Sequence, residues 1–148
     1  MRWLASAVVA VALLGCSRKP VNATPEGAVR EFTERIGRTG ADPTAAKLAY
    51  ELLSKATQAN LAERAARYTA ASGKHIRPEE MIAPQSYIER FVAHELKAKI
   101  IGSKALVSIV GAEPMETAEV PCVLQDGVWK LELPLPVLMP VAPNPRSD

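Results

Sequence analysis

The spacing of apolar positions along the chain changes twice. Residues 3–14, Trp-Leu-Ala-Ser-Ala-Val-Val-Ala-Val-Ala-Leu-Leu, are continuously apolar and carry no charge. From Ala28 the apolar positions recur as Ala28, Val29, Phe32 and Ile36, which is one face of a helix. Thr24-Pro25-Glu26 supplies a start for it, because a threonine hydroxyl can cap a free amide and proline is tolerated in the first turn. Gly37 and Gly40 are expected to stop it. Asp42-Pro43 repeats the start signal ahead of a second stripe, Leu48, Ala49, Leu52 and Leu53. A third helix is expected over residues 57–72, with Leu61, Ala65 and Tyr68 inward and Gly73 as its stop.

After Pro78-Glu79-Glu80-Met81, read as one helical turn, the period shortens from Ser86 onward toward the alternation of strands. Gly102-Ser103 separates the strand-like runs 97–101 and 104–110, and Asp126-Gly127 separates 119–124 and 128–133. Both dipeptides suit two-residue hairpin turns. Pro121 inside the third run points to an edge strand or a bulge, because proline donates no hydrogen bond to a ladder. Helices followed by an antiparallel meander define an α+β domain over residues 24–134, with N-terminal helices packed on an antiparallel β-sheet. The segment 135–148 is rich in proline and is expected to be an extended tail. Leu135, Val137, Leu138, Met139 and Val141 make it apolar enough to lie along its own domain or to engage a partner.

The 148 residues suffice for one modest core. A formal charge of +2 and an aromatic content of 5% argue against nucleic acid, which calls for a basic excess or stacking platforms. The leader changes the picture more. Arg2 and the amino terminus precede an apolar run within the roughly 7 to 15 residues of a secretory h-region, short of the ~20 needed to span a bilayer. Leu13-Leu14-Gly15-Cys16 follows at once and resembles the lipobox of bacterial lipoproteins, with Leu14 bulkier than the usual occupant of its position.

That resemblance implies a signal peptide over residues 1–15, cleavage between Gly15 and Cys16, and lipidation of Cys16 through diacylglycerol and further acyl chains such as palmitate. The thiolate suits thioether formation, and small Gly15 leaves the scissile peptide accessible. Several chains on one residue hold a protein firmly, whereas one is marginal. Residues 16–23 then form a polar tether. Ser17, where an aspartate would favour the inner membrane, implies the outer membrane, with the domain on its periplasmic side. If Cys16 is acylated, Cys122 has no intrachain partner and is expected to be a buried thiol.

With Thr24-Pro-Glu-Gly-Ala-Val-Arg-Glu-Phe32 as first helix, Leu52-Leu-Ser54 closing the second and Asp126-Gly-Val-Trp-Lys-Leu131 as a late strand, the mature chain resembles the nuclear-transport-factor-like superfamily. The resemblance implies the ketosteroid-isomerase-like cone, in which helices pack on a curved antiparallel sheet, often around an apolar pocket. The catalytic steroid-isomerising members need pocket-facing acids. Here Asp42, Asp126 and Asp148 read as a helix cap, a hairpin turn and the chain end.

Other chemistries find few residues to carry them. His75 and His94 are the only histidines, and no Cys or His cluster supplies the three or four ligands of a zinc site, so no metal and no cofactor is expected. The serines at 54, 72, 86, 103 and 108 lack a nucleophile-elbow setting. His94-Glu95 beside Tyr87 offers an acid–base pair, or simply polar residues on an edge strand. Arg64, Arg67, Lys74 and Arg77 gather with Glu63, Glu79 and Glu80, either as a face for anionic lipid or as a mixed-charge helix surface. The expectation is a non-catalytic lipoprotein domain that binds a small apolar ligand or an envelope protein. The alternatives are a cone enzyme using a glutamate or tyrosine, and a purely structural lipoprotein with a filled cone.

Overall fold

The computed structural model describes residues 19–42, 44–82 and 91–140. The leader with Gly15 and Cys16, Pro43, Ser86 and Tyr87, and the tail from 141 with Asp148 lie outside the described residues.

Helix α1 (Pro25–Arg38) begins as its sequence dictates. The Thr24 hydroxyl accepts the Gly27 amide at 3.1 Å, and Pro25 is the first helical residue. Its buried stripe is Ala28, Val29, Phe32 and Ile36. Gly37 does not stop the helix but lies within it. A glycine ends a helix by turning left-handed, and Gly37 keeps a backbone outside that region. The chain turns after Arg38, whose carbonyl accepts the amides of Ala41 and Asp42 at 2.9 Å each. The Asp42 carboxylate then accepts the amide and hydroxyl of Thr44 at 2.8 and 2.7 Å, and these bonds hold its pKa below the usual carboxylate range.

Helix α2 (Ala45–Glu51) buries Ala45 and Ala49. Helix α3 (Lys55–Ser72) starts two residues before the expected position, because fully buried Ser54 is its cap and accepts the Thr57 amide at 3.2 Å. Gly73 ends it in the left-handed conformation, φ 70°. Leu61 and Ala65 face inward as expected, whereas Tyr68 is 55% exposed. No residue of α3 beyond Ala65 is buried, so the helix has passed the core by the time it reaches Tyr68. Tyr50 and Gln58 tie α2 to α3 reciprocally: the Tyr50 hydroxyl donates to the Gln58 carbonyl, and the Gln58 amide donates to that of Tyr50. Pro78–Met81 forms a single 3-10 turn.

Four antiparallel strands follow in meander order: β1 (Glu95–Ile101), β2 (Lys104–Val110), β3 (Thr117–Gln125) and β4 (Val128–Leu131). The two hairpins fall where their dipeptides lie. Gly102 takes φ 60°, and Asp126 and Gly127 take φ 53° and 79°, the paired positive values of a two-residue turn matched to strand twist. Asp126 is held by Lys55 at 2.9 Å, which keeps its carboxyl pKa low. The register puts Leu96, Ile109 and Ala118 in one row on the helix-facing side, Ala98, Val107 and Val120 in the next, and Ala105, Cys122 and Leu131 in a third. These side chains meet Val29, Phe32, Ile36, Leu53 and Leu61 in a single core.

Pro121 sits in neither an edge strand nor a bulge, since β3 lies between β2 and β4 and its pairing with β2 continues through Leu106 opposite Pro121. The ladder with β4 begins only at Cys122 opposite Leu131. A strand residue points its N and its carbonyl to the same side. The Pro121 carbonyl accepts the Glu132 amide at 2.8 Å, so its nitrogen faces the side where β4 has already ended. The missing donor therefore leaves the pairing with β2 intact and falls at the end of the β4 ladder.

Both sheet edges are covered in part. On β1 the Ala98 amide donates to the Glu26 carboxylate at 3.2 Å. On β4, Leu131 forms a parallel bridge with Leu53, and buried Asn22 donates to the Trp129 carbonyl at 3.2 Å. Covering an edge removes a template for strand addition. Beyond β4 the Leu133 amide donates to the Thr57 hydroxyl at 3.2 Å, and the chain runs on beside α3, where Arg64 donates to the Pro136 carbonyl and Arg67 to that of Met139.

Candidate functional site

Helix α1 contributes one further face besides its buried stripe. Arg30, Thr33, Glu34 and Gly37 recur at positions i, i+3, i+4 and i+7, and this face looks across a cleft toward the start of β1. The cleft has a volume of about 490 Å³ and is open to solvent on one side. Val29, Phe91, Leu96 and Ile109 form its apolar floor and walls, while Arg30, Glu34, His94 and Glu95 are the charged and imidazole-bearing residues of its lining. A volume in the range of roughly 300–1,000 Å³, mostly apolar with a few polar groups, is that of a small-molecule site.

Phe91 forms a wall because the residue that follows β2 is Gly111. A Cβ at Gly111 would lie 2.7 Å from the Phe91 ring and closer still to Glu116. The glycine therefore allows the ring and the β2–β3 connection to approach one another. That connection is closed by the Gly111 amide donating to the Glu116 carbonyl at 2.7 Å and the Glu113 amide donating to the Glu116 carboxylate at 3.1 Å. A smaller cavity of about 140 Å³ continues beneath α1. It shares Val29, Thr33 and Ile109 with the cleft and reaches Phe32, Val120 and Leu133.

The electrostatics of the rim are uneven. Glu95 pairs with Lys97 at 2.7 Å and Glu34 with Arg38 at 3.8 Å, so each carboxylate has a cation beside it. Glu26, one turn before Arg30, accepts the Ala98 amide. Among the described residues Arg30 forms neither an ion pair nor a hydrogen bond. Among the described residues the rim thus presents one guanidinium without a direct partner, one helical turn from the Glu26 and Glu34 carboxylates and beside an apolar floor.

The residues singled out from the sequence are dispersed. His94 and Glu95 do lie on the cleft, both exposed, and Tyr87 is outside the described residues. His75 follows α3, with Gly73 and Lys74 between them. Ser54 is the α3 cap, Ser72 bonds to Lys74, Ser103 is in the first hairpin turn, and Ser108 lies on the sheet face turned away from the core. Cys122 is buried against the helices, and burial, reinforced by the charges of Glu26 and Glu132, pushes its thiol pKa up to about 12. No group of three or more possible metal ligands occurs among the described residues.

The three arginines of the basic cluster are engaged within the chain, whereas the Lys74 ammonium has no partner among the described residues. Arg67 pairs with Glu63 and donates to Met139, Arg64 donates to Asn60 at 2.7 Å and to Pro136, and Arg77 lies 3.5 Å from both Glu79 and Glu80. Neither the cleft nor Arg30 stood out in the sequence. In the sequence Gly37 reads only as part of a helix stop, and its place in the cleft lining has no signal of its own. Comparison with protein-family models, with curated proteins and with solved structures finds no match to this chain.

Proposed function

We propose that the chain is a lipoprotein of the bacterial outer membrane, anchored through Cys16, whose domain is of the ketosteroid-isomerase-like cone type and binds a small, largely apolar ligand without transforming it. The observation that carries the binding reading is the cleft of about 490 Å³ between α1 and β1, with its apolar floor of Val29, Phe91, Leu96 and Ile109. Supporting the cone type are the helices gathered on one face of a four-stranded antiparallel meander and the space left between helix and sheet. Supporting the anchor are the leader of residues 1–15 and Leu13-Leu14-Gly15-Cys16. The non-catalytic reading rests on the exposed, outwardly paired carboxylates of the rim. A general base works best when it is held against the reacting proton and shielded from water.

Organic extraction of the purified mature protein tests the binding reading. A single class of small molecule is expected in near-stoichiometric amount. An extract that contains only the acyl chains of the anchor would leave the purely structural alternative.

A further inference from the structure

Gly37 lies in the last turn of α1, one residue before the helix ends at Arg38. Glycine inside a helix is unfavourable, and it is normally kept where a positive φ or a close neighbour demands it. Neither condition applies at Gly37: its backbone is outside the left-handed region, and a Cβ there would meet nothing within 4 Å. By contrast, a Cβ at Gly27 would collide with the Val21 carbonyl, and one at Gly111 would collide with Phe91 and Glu116. What Gly37 does is line the cleft, one turn beyond Thr33 on the face that carries Arg30. A larger side chain there would extend from the cleft lining into open space, since no heavy atom stands within 4 Å of its Cβ.

The second observation is Arg30. Among the described residues it has no direct partner, while Glu26 accepts from the Ala98 amide, Glu34 lies 3.8 Å from Arg38 and Glu95 pairs with Lys97. Its planar fork of donors matches an oxyanion, and such charge-assisted bonds are about twice as strong as neutral ones. The third is the cavity of about 140 Å³ that shares Val29, Thr33 and Ile109 with the cleft; Phe32, Val120 and Leu133 give it apolar walls for a slender aliphatic chain, and exposed Glu119 is its one charged lining residue.

Resting on the binding reading above, we infer that the ligand is an anionic amphiphile, with an oxyanion head on Arg30, an aliphatic body on the cleft floor and beneath α1, and Gly37 setting the width of the entrance. A carboxylate and a phosphate share this head-group chemistry. The geometry requires the charge at one end and an unbranched apolar portion behind it.

The test uses the mature lipidated protein held in lipid nanodiscs and titrated calorimetrically against empty nanodiscs, with octanoate, octyl phosphate, 1-octanol and octyltrimethylammonium as probes. At least one of the two anions is expected to bind about tenfold or more tighter than octanol, and the cation weaker than either; the tighter anion identifies the head group. In Arg30→Gln the ratio of anion to octanol affinity should collapse toward one, with partial recovery in Arg30→Lys. Gly37→Leu, at an exposed helical site where leucine favours the fold, should abolish binding of all the probes without lowering the melting temperature. Equal affinity for octanol and both anions, or an unchanged ratio in Arg30→Gln, would overturn the anionic head while leaving an apolar site. Failure of every probe, or undiminished binding in Gly37→Leu, would overturn the cleft itself.

Discussion

Cys122 shows how one side chain can couple packing to pH. Its thiol lies 1% exposed between Ala105 and Leu131 and has a pKa of about 12, whereas an unfolded thiol titrates near 8.5. Above about pH 8.5 the unfolded chain therefore binds fewer protons than the folded one, and stability falls as pH rises toward 12. The slope reaches at most about 1.4 kcal/mol per pH unit. Urea unfolding at pH 8 and pH 10.5 should show a larger loss for the wild type than for Cys122→Ala. Parallel losses would mean that the thiol is not shielded. Gly27 makes a second residue-scale case, because its missing Cβ lets the Val21–Ala23 turn rest on the first turn of α1. Gly27→Ala should destabilise by about 1–3 kcal/mol through this overlap, although alanine is the better helix former. A melting temperature at or above that of the wild type would refute the contact.

At the scale of elements, each helix start and each hairpin rests on a few adjacent residues. The start of α1, the end of α3 and the two hairpins were legible in the sequence, whereas α2 has Thr44 rather than Asp42 at its N-cap and α3 starts at Lys55 rather than 57. Thr24-Pro25 begins α1, Gly102-Ser103 and Asp126-Gly127 turn the two hairpins, and Gly73 ends α3, in each case through local backbone chemistry. Features that depend on where a neighbour stops were not legible. Pro121 is accommodated inside an interior strand because β4 ends beside it, and Tyr68 is exposed because α3 outruns the core. In the sequence Ser54 reads as the close of the second helix, yet it is the α3 cap, and residues 52–54 also meet the edge of β4: the Ser54 amide donates to the Leu131 carbonyl at 2.8 Å, and the Leu131 amide to that of Leu52 at 3.0 Å. Ser54→Ala should therefore cost about 1–2 kcal/mol, with the buried Thr57 amide left without its acceptor, and Ser54→Asp should recover less than at an exposed cap. Chemical denaturation of the three proteins decides the matter; an Ala variant within 0.3 kcal/mol of wild type, the roughly additive error of such measurements, would remove the cap from the account.

For the whole molecule, address and binding are separable claims. The anchor rests on residues 1–16, and the cleft rests on α1, β1 and β2. Replacing Cys16 with serine should abolish acyl labelling and leave an unprocessed precursor while the cleft-forming domain keeps its melting temperature. Normal maturation of that variant would overturn the anchor and the outer-membrane assignment together, without touching the cleft. The cleft itself arises from the packing of α1 against β1 and β2, at Gly37, where the helix continues past its expected stop, and at Glu95 and Leu96, ahead of the strand run expected from 97. Its lining could not be read beforehand, because Arg30 and Gly37 acquire their meaning only from what β1 and Phe91 place opposite them. The most direct test of the central claim is native mass spectrometry of the detergent-extracted mature protein, with the wild type and Gly37→Leu compared side by side. The account predicts a discrete added mass on the wild type that is absent from the variant; a wild type without added mass, or one whose added mass persists in Gly37→Leu, would contradict it.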